Sequence, residues 1–368
     1  MNTYFPDIKK NFGFGCMRFP KIGDEVDVEA VKEMVDAFLD AGFNYFDTAR
    51  PYHGGKSETV LREALTSRYP RDKYILTNKL SAFCFEKEED ILPLFHSQLE
   101  ACGVDYFDFY LIHANSAERH EKYTSTRSFE IVKELKEQGK IRHIGMSFHD
   151  SAEVLDGILA EHPEIEVVQL QFNYVDYQDP RVQSRACWEV CRKYGKPVIV
   201  MEPVKGGSLV NLPQKALDMM APASPASYAI RFAAAHEGIF MVLSGMSNME
   251  QMQDNLSYMA DFQPLSDAEM ETIDQVRTMY QAQHRIPCTA CRYCTDGCPA
   301  GIDIPTLFAC FNDKRNEKEP EKAAAAAERY AAFEVQAVAC VECGQCEGEC
   351  PQHLHIRELL KGVTAAFA

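Results

Sequence analysis

Residues 43–58 read F-N-Y-F-D-T-A-R-P-Y-H-G-G-K-S-E. The apolar run of Phe43, Tyr45 and Phe46 stops at Asp47, a turn rich in Pro and Gly follows, and Ser57 with Glu58 opens a helical pattern. That is a strand delivering a carboxylate, and then Tyr52, into a loop that feeds a helix. The same order recurs along the chain. Strand-like runs span Phe12 to Met17, Asn44 to Asp47, Tyr74 to Lys79, Phe107 to His113, Ile141 to Ser147, Val167 to Phe172, Pro197 to Glu202 and Ile239 to Ser244. Amphipathic segments separate them; Val28, Val31, Val35, Phe38 and Leu39, for example, share one helical face. Strand followed by helix, repeated through residue 283, implies a parallel sheet with crossovers, and eight such units fit a closed (β/α)8 TIM barrel of the α/β class. An open doubly wound sheet is the alternative, disfavoured because no G-x-G-x-x-G turn follows the first strand.

The 368 residues are 46% hydrophobic and 25% charged, which suffices for one large and one small domain without disulfide staples. The net charge of −17 argues against nucleic acid and against an anionic membrane as partners, because both polyanions recruit basic patches. No apolar run reaches the ~18 residues of a membrane span, and the first twenty residues lack the apolar core of an export signal. A cytoplasmic location is the expectation.

From Arg285 the composition turns towards cysteine, so the expected domains are 1–283 and 284–368, the second small and mainly helical. Eight of the fourteen cysteines form two matching runs: Cys288, Cys291, Cys294 and Cys298 before Pro299, then Cys340, Cys343, Cys346 and Cys350 before Pro351. The spacing C-x2-C-x2-C-x3-C-P is that of bacterial two-cluster ferredoxins, in which the fourth cysteine of each run serves the other cluster. Two [4Fe-4S] clusters follow, one on Cys288, Cys291, Cys294 and Cys350, the other on Cys340, Cys343, Cys346 and Cys298. A pair of zinc sites with four cysteine ligands each is the alternative, but such sites show separated C-x2-C pairs. The alanine-rich stretch after Glu321 reads as a solvated connecting helix. Cys16, Cys84, Cys102, Cys187, Cys191 and Cys310 read as small buried hydrophobes.

Reducing a carbonyl requires a hydride at carbon and a proton at oxygen. Tyrosine keeps its proton at neutral pH, a nearby ammonium eases its release, and a carboxylate fixes that ammonium. Tyr52, Lys79 and Asp47 fit those roles, and His113 fits the group that orients the carbonyl oxygen. Singly each has a plain structural explanation, as strand-end cap, solvated strand end, loop aromatic or core histidine. Together they fall at the same end of successive strands, which points to one site.

These residues also carry a family resemblance. F-D-T-A-R-P-Y-H-G-G-K-S-E at 46–58, T-N-K at 77–79 and L-I-H at 111–113 resemble the aldo/keto reductases through about residue 280, and the C-terminal part resembles a helical two-cluster ferredoxin as found in larger redox enzymes. The resemblance implies a barrel binding NADP(H) or NAD(H) in extended form and a catalytic tetrad of Asp47, Tyr52, Lys79 and His113. It places Ser147 and Gln169 on the nicotinamide carboxamide, Met201 where many members have an aromatic ring against the nicotinamide, and Lys205, Gly206 and Gly207 in the loop over the pyrophosphate. Ser244, Gln251 and Asn255 fall in the adenosine-side motif. There Gly245 and Gln251 stand where a lysine and an arginine usually hold the 2′-phosphate, which implies weak or NADH-shifted preference. The implied activity is reduction of a small aldehyde or ketone, or oxidation of the alcohol.

Hydride carries two electrons and a cluster passes one, so exchange between the domains needs a converter. A flavin is the simplest, although the chain carries no flavin motif. Two other readings stay open: an electron-transfer component fed by a redox partner protein such as a ferredoxin or flavodoxin, and a nucleotide-binding redox sensor.

Overall fold

The computed structural model describes residues 4–315 and 320–368. Residues 1–3 of the expected first domain and 316–319 of the second lie outside them. All eight expected strands form: β1 (Phe12–Gly15), β2 (Tyr45–Asp47), β3 (Ile75–Ser81), β4 (Phe107–Asn115), β5 (Ile141–Phe148), β6 (Val167–Gln171), β7 (Val198–Met201) and β8 (Ile239–Ser244). They pair in parallel, each with its sequence neighbours, and β1 closes on both β2 and β8 to complete a barrel. The first strand stops two residues earlier than its apolar pattern, because Cys16–Arg18 turns as a 3-10 helix.

A parallel closed barrel places every strand's C-terminal end at one rim. Asp47 closes β2, Lys79 and Ser81 end β3, His113 is near the end of β4, and Ser147, Gln169, Met201 and Ser244 close β5 to β8. Register fixes their relative heights: Asp47 pairs with Thr77, Ser81 with His113, and Ser147 with Gln169.

The opposite end is plugged by an apolar cluster in which Phe5 and Ile8, from the segment ahead of β1, meet Tyr45, Ile75, Phe109, Val167, Ile199 and Phe240. Phe5 lies edge-on to Phe109 at 5.0 Å between centroids. Glycines make room for these large groups: a Cβ on Gly13 would lie 2.7 Å from Leu243 Cδ2, and one on Gly145 2.6 Å from Val167 Cγ2. Burying each large side chain contributes roughly 2–3 kcal/mol, so this layer rigidifies the frame that carries the rim.

The chain divides into two compact units, Met1–Val204 with Met220–Ile273, and Lys205–Met219 with Asp274–Ala368. The second is helical, with Ile304–Lys314, Pro320–Ala331 and Ile356–Phe367 as its longer helices beyond the one ending at Gln281. Its core gathers Ile286, Ile302, Leu307, Phe308, Leu354 and Leu360. The alanine-rich helix is not merely solvated: Ala326 and Tyr330 are buried, and Tyr330 stacks on Phe367 at 4.0 Å. Alanine conceals this in the sequence, because a small side chain marks no face. Five of the six scattered cysteines are buried, and Cys84 is half-buried. No helix among the described residues is long and apolar enough to cross a membrane.

Candidate functional site

The rim brings the four expected residues together. Lys79 Nζ donates to Asp47 Oδ1 at 2.5 Å, to the Thr48 carbonyl at 2.9 Å and to Tyr52 Oη at 3.3 Å. The Tyr52 and His113 rings meet edge to face at 6.1 Å. Tyr52 reaches this position because the turn after β2 passes through left-handed backbone at His53 and Gly54, with φ of 54° and 62°. Glycine takes that conformation without strain, and histidine is among the residues enriched there.

Asp47 and Lys79 are both buried, at 3% and 0% exposure. Burial pushes the carboxyl up and the ammonium down, and their mutual attraction opposes both shifts. Gln169 Nε2 adds a 3.4 Å contact to Asp47 Oδ2. His113 is held well below the usual imidazole range, first by burial and then by the Lys79 charge, so it is neutral at pH 7. Its Nδ1 shares a 2.5 Å hydrogen bond with Ser81 Oγ, and its carbonyl accepts from Tyr123 Oη at 2.6 Å.

A buried polar network stands behind Lys79 that sequence reasoning did not single out. The Lys79 N–H donates to Asn78 Oδ1 at 2.8 Å, Gln98 Nε2 donates to the Lys79 carbonyl at 3.0 Å, and Tyr110 Oη donates to Gln98 Oε1 at 2.5 Å. Asn78 Nδ2 donates to Glu58 Oε1 at 2.8 Å, and Arg50 pairs with Glu58 at 3.0 Å. Glu58, Asn78 and Gln98 are wholly buried. Such a network, closed at Glu58 by the Arg50 charge, fixes the strand end from which Lys79 projects. The sequence gives little signal of it, because Glu58, Asn78 and Gln98 each stand beside other polar residues in the chain.

The expected dinucleotide residues take varied positions. Ser147 Oγ accepts from the Ala114 N–H at 2.7 Å and still carries its own proton to donate. Ser244 Oγ donates to Asn255 Oδ1 at 3.2 Å, and Asn255 Nδ2 donates to the Gln251 carbonyl at 2.7 Å. Gln251 folds back to accept from the Ser247 N–H at 2.8 Å, in the first turn of the helix Met249–Met259 capped by Asn248. Gly245 leaves a space that Arg18 uses: a Cβ there would lie 2.7 Å from Arg18 Cγ. Met201 is half-buried at the end of β7. The donors and acceptors on this rim fit an amide-bearing nucleotide. Lys205, Gly206 and Gly207 belong to the second unit, where Lys205 Nζ donates to Gln352 Oε1 at 2.9 Å.

In the second unit the eight cysteines form two cavities. One is lined by Cys288, Cys291, Cys294 and Cys350, the other by Cys298, Cys340, Cys343 and Cys346. Each set takes three cysteines from one run and the fourth from the other. Burial, then repulsion from Cys291, Cys288 and Cys350, pushes the Cys294 thiol far up. Burial, then Glu347 and the three cysteines of its own cavity, pushes Cys346 up to about 11. Four sulfur donors crowded into one largely apolar hollow suit a metal centre that takes them as thiolates. Among the described residues one further group of metal-capable side chains occurs, His120, Glu161 and His162 on the barrel exterior.

Comparison with known proteins agrees with this geometry. Residues 11–278 match the aldo/keto reductase family, and residues 287–354 match a 4Fe-4S dicluster domain. An aldo-keto reductase of Mycolicibacterium vanbaalenii is 30% identical over 262 residues, covering 69% of this chain and 85% of the relative. An NADH-specific methylglyoxal reductase of Escherichia coli is 26% identical over 196 residues, 48% of this chain and 57% of the relative. Among solved structures, an aldo-keto reductase from Bacillus halodurans in its holo form superposes with a TM-score of 0.60 at 23% identity, covering 73% of this chain and 92% of its own. One from Klebsiella pneumoniae in complex with NADPH gives 0.60 at 19% identity, covering 73% and 95%. At these identities the structural likeness establishes the fold.

Proposed function

The chain is a member of the aldo/keto reductase family with a C-terminal 4Fe-4S domain, and we propose that it reduces a small aldehyde or ketone, or oxidises the matching alcohol, with Tyr52 as proton donor. A bound nicotinamide dinucleotide, NADP(H) or NAD(H), supplies or accepts the hydride. The observation that carries this reading is Lys79 Nζ standing within hydrogen-bond reach of both Asp47 and Tyr52 Oη. The Lys79 charge stabilises the phenolate that forms as Tyr52 gives up its proton, and Asp47 fixes that charge in place. His113, neutral, donates a hydrogen bond to the carbonyl oxygen and orients it. Ser147 and Gln169 hold the carboxamide, Met201 packs on the ring, and Ser244, Gln251 and Asn255 face the adenosine side. The relatives' printed names, one an NADH-specific methylglyoxal reductase and one bound to NADPH, support a small carbonyl substrate and a nicotinamide. The test is a panel of small carbonyls with each nicotinamide, comparing the parent chain with Tyr52→Phe; turnover that survives the substitution refutes the role of that hydroxyl.

In the second unit, Cys288, Cys291, Cys294 and Cys350 would hold one [4Fe-4S] cluster, and Cys298, Cys340, Cys343 and Cys346 a second. Each would store one electron. A further reading, that electrons arrive from a one-electron carrier protein, is favoured by the exposure around the second cavity: Cys343 is exposed, and Val341 and Val338 are 65% and 71% exposed. Carbonyl reduction driven by reduced ferredoxin or flavodoxin without added nicotinamide would support it; clusters that stay oxidised in their presence would refute it.

A further inference from the structure

The outer face of the barrel carries a second group of donors, His120, Glu161 and His162, one ligand atom of each lying within 4.8 Å of the others. His120 stands in the helix Ala117–Ser125. Glu161 closes the helix Ala152–Glu161, and His162 leads the chain out of it at φ −118° and ψ 70°. The turn that follows is closed by the Ile165 N–H, which donates to the His162 carbonyl at 3.2 Å and brings Glu164 back to the His162 ring. Two of the three donors therefore sit at the C-terminal end of a ten-residue helix, where the helix dipole favours a cation.

Packing holds both imidazoles. Phe129 stacks on His162 at 3.6 Å between centroids and lies edge-on to His120 at 5.6 Å, and the two histidine rings meet edge to face at 5.4 Å. His162 Nδ1 donates to Glu164 Oε1 at 2.9 Å, so the neutral ring keeps its lone pair on Nε2. A carboxylate on the far nitrogen is the arrangement that orients a metal-binding histidine and raises its basicity. His120 Nε2 lies 3.3 Å from Glu161 Oε2. Two ligand atoms on a tetrahedral zinc, each bonded at about 2.0–2.1 Å, stand about 3.3 Å apart. That contact is also a hydrogen bond from Nε2 to the carboxylate; an ion taking Nε2 moves the proton to Nδ1, which faces the Asn115 side-chain amide at 3.4 Å.

We propose that His120, Glu161 and His162 form a zinc site on the barrel exterior, two imidazole nitrogens and one carboxylate oxygen binding the ion and a water completing the tetrahedron. Mixed nitrogen and oxygen donors select zinc over calcium and magnesium, which take oxygen. Ferrous iron accepts the same three donors but binds such sites more weakly than zinc. Glu164 is the positioning residue, acting through His162. The ion ties the helix Ala117–Ser125 to the end of the helix Ala152–Glu161. The first of these also carries Tyr123, whose hydroxyl meets the His113 carbonyl at 2.6 Å, so the zinc steadies the seat of His113 and takes no part in the reaction.

The test is anaerobic equilibrium dialysis of the tag-free, full-length, cluster-loaded protein against Zn²⁺, with zinc, iron and sulfide counted and zinc X-ray absorption recorded. The parent should hold one zinc per chain more than His120→Ala does. If His120→Ala fails to fold, Glu161→Gln decides, because that side chain is 71% exposed and its loss should release the same ion at the zinc concentration that half-saturates the parent. Glu164→Gln keeps all three ligands and should weaken zinc about tenfold. The extra ion should show nitrogen and oxygen neighbours at about 2.0 Å and no sulfur at about 2.3 Å, which separates it from zinc on cysteine. Zinc should also raise the melting temperature of the parent and not that of Glu161→Gln. Equal zinc in the parent and Glu161→Gln, or sulfur neighbours on the extra ion, overturns the inference.

Discussion

Lys79 Nζ lies 2.5 Å from Asp47 Oδ1, and neither residue is more than 3% exposed. Breaking one side of a buried pair leaves the other charge without its partner, which typically costs 3–5 kcal/mol. Asp47→Asn should lower the denaturation free energy by about that amount and lower carbonyl reduction as well, since the ammonium loses its anchor. Chemical denaturation of parent and variant under identical anaerobic conditions measures it. A loss below about 1 kcal/mol would mean that the pair is solvated and weak.

The two cysteine runs exchange their fourth members, Cys350 joining the first cavity and Cys298 the second. Cys298→Ala should therefore weaken the cluster on Cys340, Cys343 and Cys346 and spare the one on Cys288, Cys291 and Cys294. Cys350→Ala should do the reverse. Iron content with resonance spectra of each variant separates this from an uncrossed arrangement, in which the assignments swap.

His53 predicts a pH dependence. It stacks on Phe19 at 5.4 Å and accepts the Phe19 N–H at 3.2 Å through Nε2, and burial, then the Lys21 charge, pushes its imidazole down to about 4. The unfolded chain then binds a proton near pH 6.5 that the folded chain refuses until about 4, so stability falls as pH drops through that window and levels off below it. After discounting for solvent screening the loss is about 2 kcal/mol. His53→Asn, which tolerates the left-handed backbone, should flatten thermal stability between pH 6.5 and 4 relative to the parent.

Cofactor choice follows from the adenosine side. Gly245 carries no side chain and Gln251 is tied to the Ser247 N–H, so a 2′-phosphate meets neither of the cations that the family resemblance leads one to expect there. The expected outcome is comparable or better use of NADH than of NADPH. Gln251→Arg should lower the KM for NADPH about tenfold, about 1.4 kcal/mol, with little effect on NADH. A strong parental preference for NADPH would point to Arg18, whose stem lies across Gly245, as the compensating cation.

How far the sequence carries depends on the range of the contacts. The strands were legible because alternation and apolar runs are local, and the gathering of Asp47, Lys79 and His113 because each lies near the C-terminal end of its strand, with Tyr52 in the turn that follows the first of them. The exchanged cysteines were legible because their spacing is a chemical rule. The Lys205–Gln352 bond joins residues 147 apart in the chain, and no local pattern announces it. A Cβ on Gly206 would meet Thr289, a neighbour that no local pattern announces either. The network of Glu58, Asn78, Gln98 and Tyr110 was hidden for a related reason: polar residues inside strand and helix patterns read as exposed until a partner across the fold is known.

The decisive experiment is a single-turnover measurement of nicotinamide oxidation by a small aldehyde in the parent and in Tyr52→Phe, with dinucleotide affinity measured on both. Tyr52 as proton donor requires the hydride step to slow by about 10²- to 10⁴-fold while dinucleotide affinity stays within about twofold. Equal rates in the two proteins would remove Tyr52 from the chemistry and leave the pairing of Lys79 with Asp47 as structure alone.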